Sequence, residues 1–219
     1  EANRITAADI DALKPLRAAV EASWGYTARV RVAFTLKDAT GTKWEKTLTG
    51  VEVMVVLKAD AYGHGAVRIA HTVLAHGARR LAVACLSEAV ALREAGVDAP
   101  ILIPGYIAPW QARAAVLNHV ACAAFSDEVV RALSTAAQDL RASARLHLKV
   151  DTGMGRLGLF PHEVLPFMER MGRLPGLVWE GLFTHFSAAD DPAEDDYTGA
   201  QLQEFLTLLD QLEEAGYRF

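Results

Sequence analysis

Lys58 follows Val55-Val56-Leu57 and opens the run Lys58-Ala59-Asp60-Ala61-Tyr62-Gly63-His64-Gly65. An amine at the end of an apolar strand suits addition to an aldehyde, because burial disfavours the ammonium and leaves a nucleophile. On position alone, a lysine snorkelling out of a strand is the favoured reading of Lys58. The segment behind it favours chemistry. Its glycines allow close backbone approach, and the Tyr62 hydroxyl with the loop amides can hold a phosphate. Two later segments, Lys149-Val150-Asp151-Thr152-Gly153-Met154-Gly155-Arg156 and Thr184-His185-Phe186-Ser187, also place polar side chains behind apolar runs. Each has a plainer reading. Arg156 reads as a loop arginine paired with Asp151, His185 as a core histidine bonded to backbone, and Lys149 as half of an ion pair with a nearby carboxylate.

The pattern of apolar residues says what would bring these segments together. Short apolar runs over 51–58, 80–86, 99–104, 120–125, 145–150 and 177–186 alternate with helical patterns over 66–76, 87–95, 110–117, 128–137, 161–171 and 200–215. Gly77, Gly96, Gly105, Gly176 and Gly216 punctuate the units, and Ser87-Glu88 and Ser126-Asp127 read as helix caps. This rhythm predicts an α/β fold, a partial TIM-type (β/α)8 barrel of about six βα units. Active sites of such barrels form at the C-terminal ends of the strands. The three polar segments end the first, fifth and sixth predicted strands. Closure takes eight strands, and the chain stops where a seventh is expected.

Residues 1–49 read differently and form a segment of uncertain origin ahead of the barrel portion, 50–219. Thr6 caps a helical pattern of Ile10, Leu13, Leu16 and Val20 that Pro15 weakens. Alternation over 30–36 and 44–48, across a turn at 38–41, predicts a β-hairpin.

Composition excludes some functions. A net charge of −5 gives no basic field for nucleic acid, and no apolar stretch spans a bilayer. With no signal peptide, the expectation is a cytoplasmic protein without membrane partners. Cys85 and Cys122 lie in apolar runs and read as buried reduced thiols. No metal is expected: His64, His71 and His76 have no matching carboxylates or thiolates. The acidic residues Asp190, Asp191, Glu194, Asp195 and Asp196 read as a solvated loop before the sixth helix.

The segment 56–65, Val-Leu-Lys-Ala-Asp-Ala-Tyr-Gly-His-Gly, resembles the cofactor-lysine signature of the alanine racemase family. Segments 148–158 and 180–186 are similar to two further signatures of that family, and 85–96 resembles its second βα unit. The resemblance covers roughly residues 50–219, in the family's order. It implies an isomerase that uses pyridoxal 5'-phosphate to interconvert L- and D-alanine, supplying D-alanine for cell-wall peptidoglycan. Lys58 would hold the cofactor as a Schiff base and exchange the Cα proton on one face. Tyr62 would bind the phosphate, and Arg156 the ring oxygen and the substrate carboxylate region. His185 would sit beside the cofactor in a hydrogen-bond chain, and Lys149 matches a lysine carbamylated in some members. The second base would be a tyrosine in the C-terminal domain of a partner subunit, so the complete enzyme would be a homodimer. On this view the 219 residues are a fragment, inactive alone. Two other functions compete: a non-catalytic single-domain carrier of the same cofactor, and an inactive interaction module. Which amino acid is racemised is not set by these motifs.

Overall fold

The computed structural model describes residues 32–37, 43–48, 52–189 and 191–219. Alternating side chains build the first pair of strands. β1 (Val32–Lys37) and β2 (Lys43–Leu48) pair antiparallel, with Val32 opposite Leu48 and Lys37 opposite Lys43. The expected hairpin is therefore present as two strands. The helix and the turn expected around it lie outside the described residues.

The short apolar runs then form β3 (Met54–Val56), β4 (Arg80–Ala82), β5 (Ile101–Ile103), β6 (Val120–Ala124), β7 (Ala144–Lys149) and β8 (Leu177–Phe183). They make one six-stranded sheet in sequential order, with every neighbouring pair parallel. Sequential parallel order with a helix in each crossover is barrel winding, since each crossover returns the chain to the next strand on the same side. The intervening helices are α1 (Ala66–Ala75), α2 (Leu86–Glu94), α3 (Ala112–Leu117), α4 (Asp127–Leu140) and α5 (Pro161–Met171), and α6 (Asp195–Glu214) follows β8.

Burial follows position in the sheet. All residues of β5 and β6 are buried, whereas β3 and β8, each paired on one side only among the described residues, are half-exposed, with Val56 at 44% and Val178 at 43%. One core joins the sheet to its helices through Leu81, Ile101, Ile103, Leu133, Leu146 and Phe167.

Several expectations need correction. The strands are shorter than the apolar runs; β4 stops at Ala82, so Cys85 falls beyond it and is exposed, while Cys122 is buried within β6. Cys85, not Ser87, is the N-cap of α2. Ser126 does occupy the N-cap of α4, though its side chain makes no capping bond. α6 begins at Asp195, which moves Asp195 and Asp196 from the expected loop into a first helical turn. Carboxylates there meet the positive end of the helix dipole. Lys58 is exposed rather than buried; among the described residues β3 pairs only with β4.

Candidate active site

Beyond β3 the chain turns the wrong way for L-residues. Ala59, Asp60, Ala61 and Tyr62 all adopt left-handed backbone, with φ of 53°, 53°, 53° and 56°. Each such residue costs roughly 1–2 kcal/mol relative to right-handed backbone, so the turn stores strain that its bonds must offset. Gly65 N–H donates to the Asp60 carbonyl at 3.0 Å, and the Ala66 amide to Asp60 Oδ1 at 2.6 Å. Lys58 heads this turn, with its Nζ 5.8 Å from the centre of the Tyr62 ring. Tyr62 is itself 60% exposed.

The second segment is organised by Asp151. Its buried carboxylate accepts the backbone N–H groups of Gly153 (3.0 Å), Gly155 (3.0 Å) and Arg156 (2.9 Å). Burial alone would raise this carboxyl. The donated bonds from Gly155, Gly153, Arg156 and Met154 outweigh it and hold the pKa below the ordinary value. Asp151 thus grips the backbone of Arg156, not its guanidinium. An Asp with glycines two and four residues on is a signal for such a knot, because the carboxylate bonds nearby amides and glycine accepts the turn. Sequence reasoning weighed this aspartate only as a side-chain partner.

Lys149 is the buried lysine of the site, 4% exposed at the end of β7, with Nζ 4.4 Å from the centre of the Phe183 ring. Burial first, and then the neighbouring Arg156 charge, lower its pKa, while Asp151 acts the other way. The expected carboxylate ion pair for Lys149 is not formed among the described residues.

The third segment joins the second through side chains. Thr152 Oγ1 and Thr184 Oγ1 are 2.8 Å apart, Tyr197 Oη of α6 donates to the Gly153 carbonyl at 2.7 Å, and buried Gln201 accepts Ser187 N–H at 3.1 Å. Sequence reasoning missed Tyr197 and Gln201, since nothing in a helical pattern says which loop its polar face meets. His185, the next residue after Thr184, is exposed at the rim rather than buried in the core. Its pKa is lowered by what burial it has and then by the charges of Arg156, Lys149 and Lys58. The four basic residues come from three βα units and all lie at or beyond the C-terminal ends of parallel strands.

Charge balance separates the two ends of the sheet. Toward the N-terminal ends of the strands the arginines are paired: Arg80 with Glu52 at 3.0 Å and Arg145 with Glu180. At the C-terminal ends none of Lys58, Lys149 and Arg156 forms a salt bridge among the described residues, and Asp151 is occupied by backbone amides. The carboxylates of the adjoining loops, Asp60, Glu88 and Asp151, accept backbone amides rather than these cations, and a mouth so arranged can take an anionic ligand. No group of three histidine, cysteine or acidic side chains among the described residues is arranged to hold a metal.

Such a fold and site define a parallel barrel portion with a lysine-bearing, anion-attracting mouth at its strand ends. The family model described as "Alanine racemase, N-terminal domain" matches residues 42–219. The chain belongs to this family. It is 45% identical over 169 residues to the alanine racemase of Desulforamulus reducens, covering 77% of this chain and 45% of that protein. It is 44% identical over 166 residues to that of Symbiobacterium thermophilum, covering 76% and 44%. Among solved structures, the Clostridium difficile 630 alanine racemase in complex with cycloserine superposes with a TM-score of 0.74 at 34% identity, over 77% of this chain and 46% of that one. The Bacillus anthracis alanine racemase with bound L-Ala-P gives 0.71 at 38% identity, over 77% and 43%. The chain spans about half the length of the relatives it matches.

Proposed function

We propose that this chain is the barrel portion of a pyridoxal-phosphate-dependent alanine racemase, and that residues 50–219 carry one half of its active site. The observation that carries the reading is that Lys58, Lys149, Arg156 and His185 all lie at or beyond the C-terminal ends of parallel strands of one sheet, and that none of them forms a salt bridge among the described residues. The relatives named alanine racemase favour this over a non-catalytic carrier.

The donor set fits the cofactor, which is an aldehyde bearing a phosphate: Lys58 offers an exposed primary amine and the surrounding cations attract the anion. Bound there, pyridoxal phosphate would supply the electron sink for the pair left when a Cα proton departs. Lys58 would attach the cofactor and exchange that proton on one face. Tyr62 would donate its hydroxyl to the phosphate. Arg156, its backbone fixed by Asp151, would hold its guanidinium toward the ring oxygen and the substrate carboxylate. His185, whose neighbours disfavour a further positive charge, would pass a hydrogen bond without competing for the anion. Lys149 has a depressed pKa, and a neutral amine is the form that adds carbon dioxide. The carbamate would give Arg156 a counter-charge and fix its orientation. The opposite proton-transfer face requires a second base, which we assign to the C-terminal domain of a partner subunit in a cytoplasmic homodimer. No helix among the described residues is long and apolar enough to cross a membrane.

The test is to add pyridoxal phosphate, reduce with borohydride and map the labelled peptide. Label on Lys58, lost in Lys58→Ala with an unchanged far-UV spectrum, is the expected result. Label elsewhere, or none, overturns the assignment. Conversion of L- to D-alanine by the complete enzyme, followed by circular dichroism, tests the racemase reading against the carrier.

A further inference from the structure

A left-handed run of four L-residues persists only where its surroundings hold it. The bonds at Asp60 close the far end of the turn after β3. The near end, at the peptide joining Lys58 to Ala59, is held from a different βα unit. Ala59 N–H donates to Glu88 Oε1 at 2.7 Å, while Ala84 N–H donates to Glu88 Oε2 at 2.7 Å. One half-buried carboxylate therefore ties the end of β3 to the loop after β4.

Glu88 is the third residue of α2, where a carboxylate meets the helix dipole and often bonds an amide just ahead of the helix. Ordinary capping accounts for Oε2 and Ala84. It does not account for Oε1, which reaches a residue 29 positions away in sequence. That bond fixes the plane of the peptide directly after Lys58, and so the direction in which the Lys58 side chain leaves the strand.

We propose that Glu88 is a positioning residue for Lys58, holding the strained turn in the form that presents the amine to an aldehyde. The proposal rests on the reading of Lys58 as the cofactor lysine. Without Glu88 the turn relaxes toward right-handed backbone, and the fraction of molecules with Lys58 in place falls. Apparent cofactor affinity falls with that fraction. Glycine at position 59 removes the steric objection to left-handed backbone, so Ala59→Gly restores part of what Glu88 supplies.

The experiment titrates the protein, Glu88→Gln, Glu88→Ala and the double variant Glu88→Ala/Ala59→Gly with pyridoxal phosphate. It reads absorbance, borohydride-fixed label on Lys58 and thermal unfolding. Expected is an affinity loss of about ten- to hundredfold in Glu88→Ala, the worth of one charge-assisted hydrogen bond. A smaller loss is expected in Glu88→Gln, which keeps one acceptor oxygen, and partial recovery in the double variant. Affinity within about twofold of the parent, a lowered melting temperature with unchanged affinity, or no rescue by glycine each overturns the proposal. Should Glu88→Ala not fold, the glutamine variant decides by the same affinity criterion. Failure of the parent protein to label Lys58 overturns the cofactor-lysine reading, and this proposal with it. A labelled parent with unaffected variants overturns the role of Glu88 alone.

Discussion

Gly158 lies where the loop carrying Arg156 returns to the end of β7. Asp151 N–H donates to the Leu159 carbonyl at 2.8 Å and Leu159 N–H to the Lys149 carbonyl at 3.0 Å, so the two stretches are locked side by side. At φ +131°, a Cβ on Gly158 would stand 2.7 Å from Asp151 N, 2.7 Å from the Val150 carbonyl carbon and 3.2 Å from the Lys149 carbonyl oxygen. All three are backbone atoms in the strand end that holds the site, and none can swing aside. Gly158→Ala therefore combines a strained backbone, about 1–2 kcal/mol, with overpacking of about 1–3 kcal/mol. We expect a loss near 3 kcal/mol. Gly155→Ala is the matched control: its φ is +69° and nothing lies within 4 Å of the added Cβ, so only about 1 kcal/mol is at stake. At about 2–4 °C per kcal/mol for a chain of this size, melting followed by far-UV circular dichroism should fall about 6–12 °C for Gly158→Ala and 2–4 °C for Gly155→Ala. Equal shifts in the two variants would refute the close approach and with it the account of how Arg156 is held.

Two further outcomes are expected. The folded-state pKa of Asp151 is lowered, so its stabilisation is fully present above the ordinary carboxylate value of about 4 and is lost as pH falls through the depressed folded value. Asp151→Asn should flatten that part of the acid unfolding curve and cost about 2 kcal/mol at neutral pH, read by urea unfolding; an unchanged acid slope would contradict the backbone knot. Lys149 should take up carbon dioxide near neutral pH, seen as a bicarbonate-derived carbon-13 signal that acid removes and Lys149→Arg abolishes. A normal signal in that variant would rule out the site.

Much of the fold was legible because its causes are local. Parallel strands covered by helices read as apolar runs, helices as 3.6-residue patterns, and their alternation sets the order of the sheet. The predicted span of α5, 161–171, agrees with the observed Pro161–Met171. The candidate residues Lys58, Tyr62, Lys149, Arg156 and His185 were readable as types at strand ends. Burial was not readable. Lys58 was expected to be desolvated by its strand, yet it is exposed and Lys149 is the buried lysine, because burial depends on neighbours in space that strand position does not reveal. The partners of Asp151 and Glu88 were hidden for a related reason. A carboxylate's hydrogen bonds depend on which amides the folded backbone points at it, and for Ala59 that backbone is a left-handed turn that no propensity of Ala, Asp or Tyr announces. The sequence alone determined which side chains end the strands and hence what chemistry is available. Tertiary structure decided which of them are buried, which cations form no salt bridge among the described residues and which carboxylate holds the lysine's peptide, since solvation and charge pairing are properties of neighbours in space.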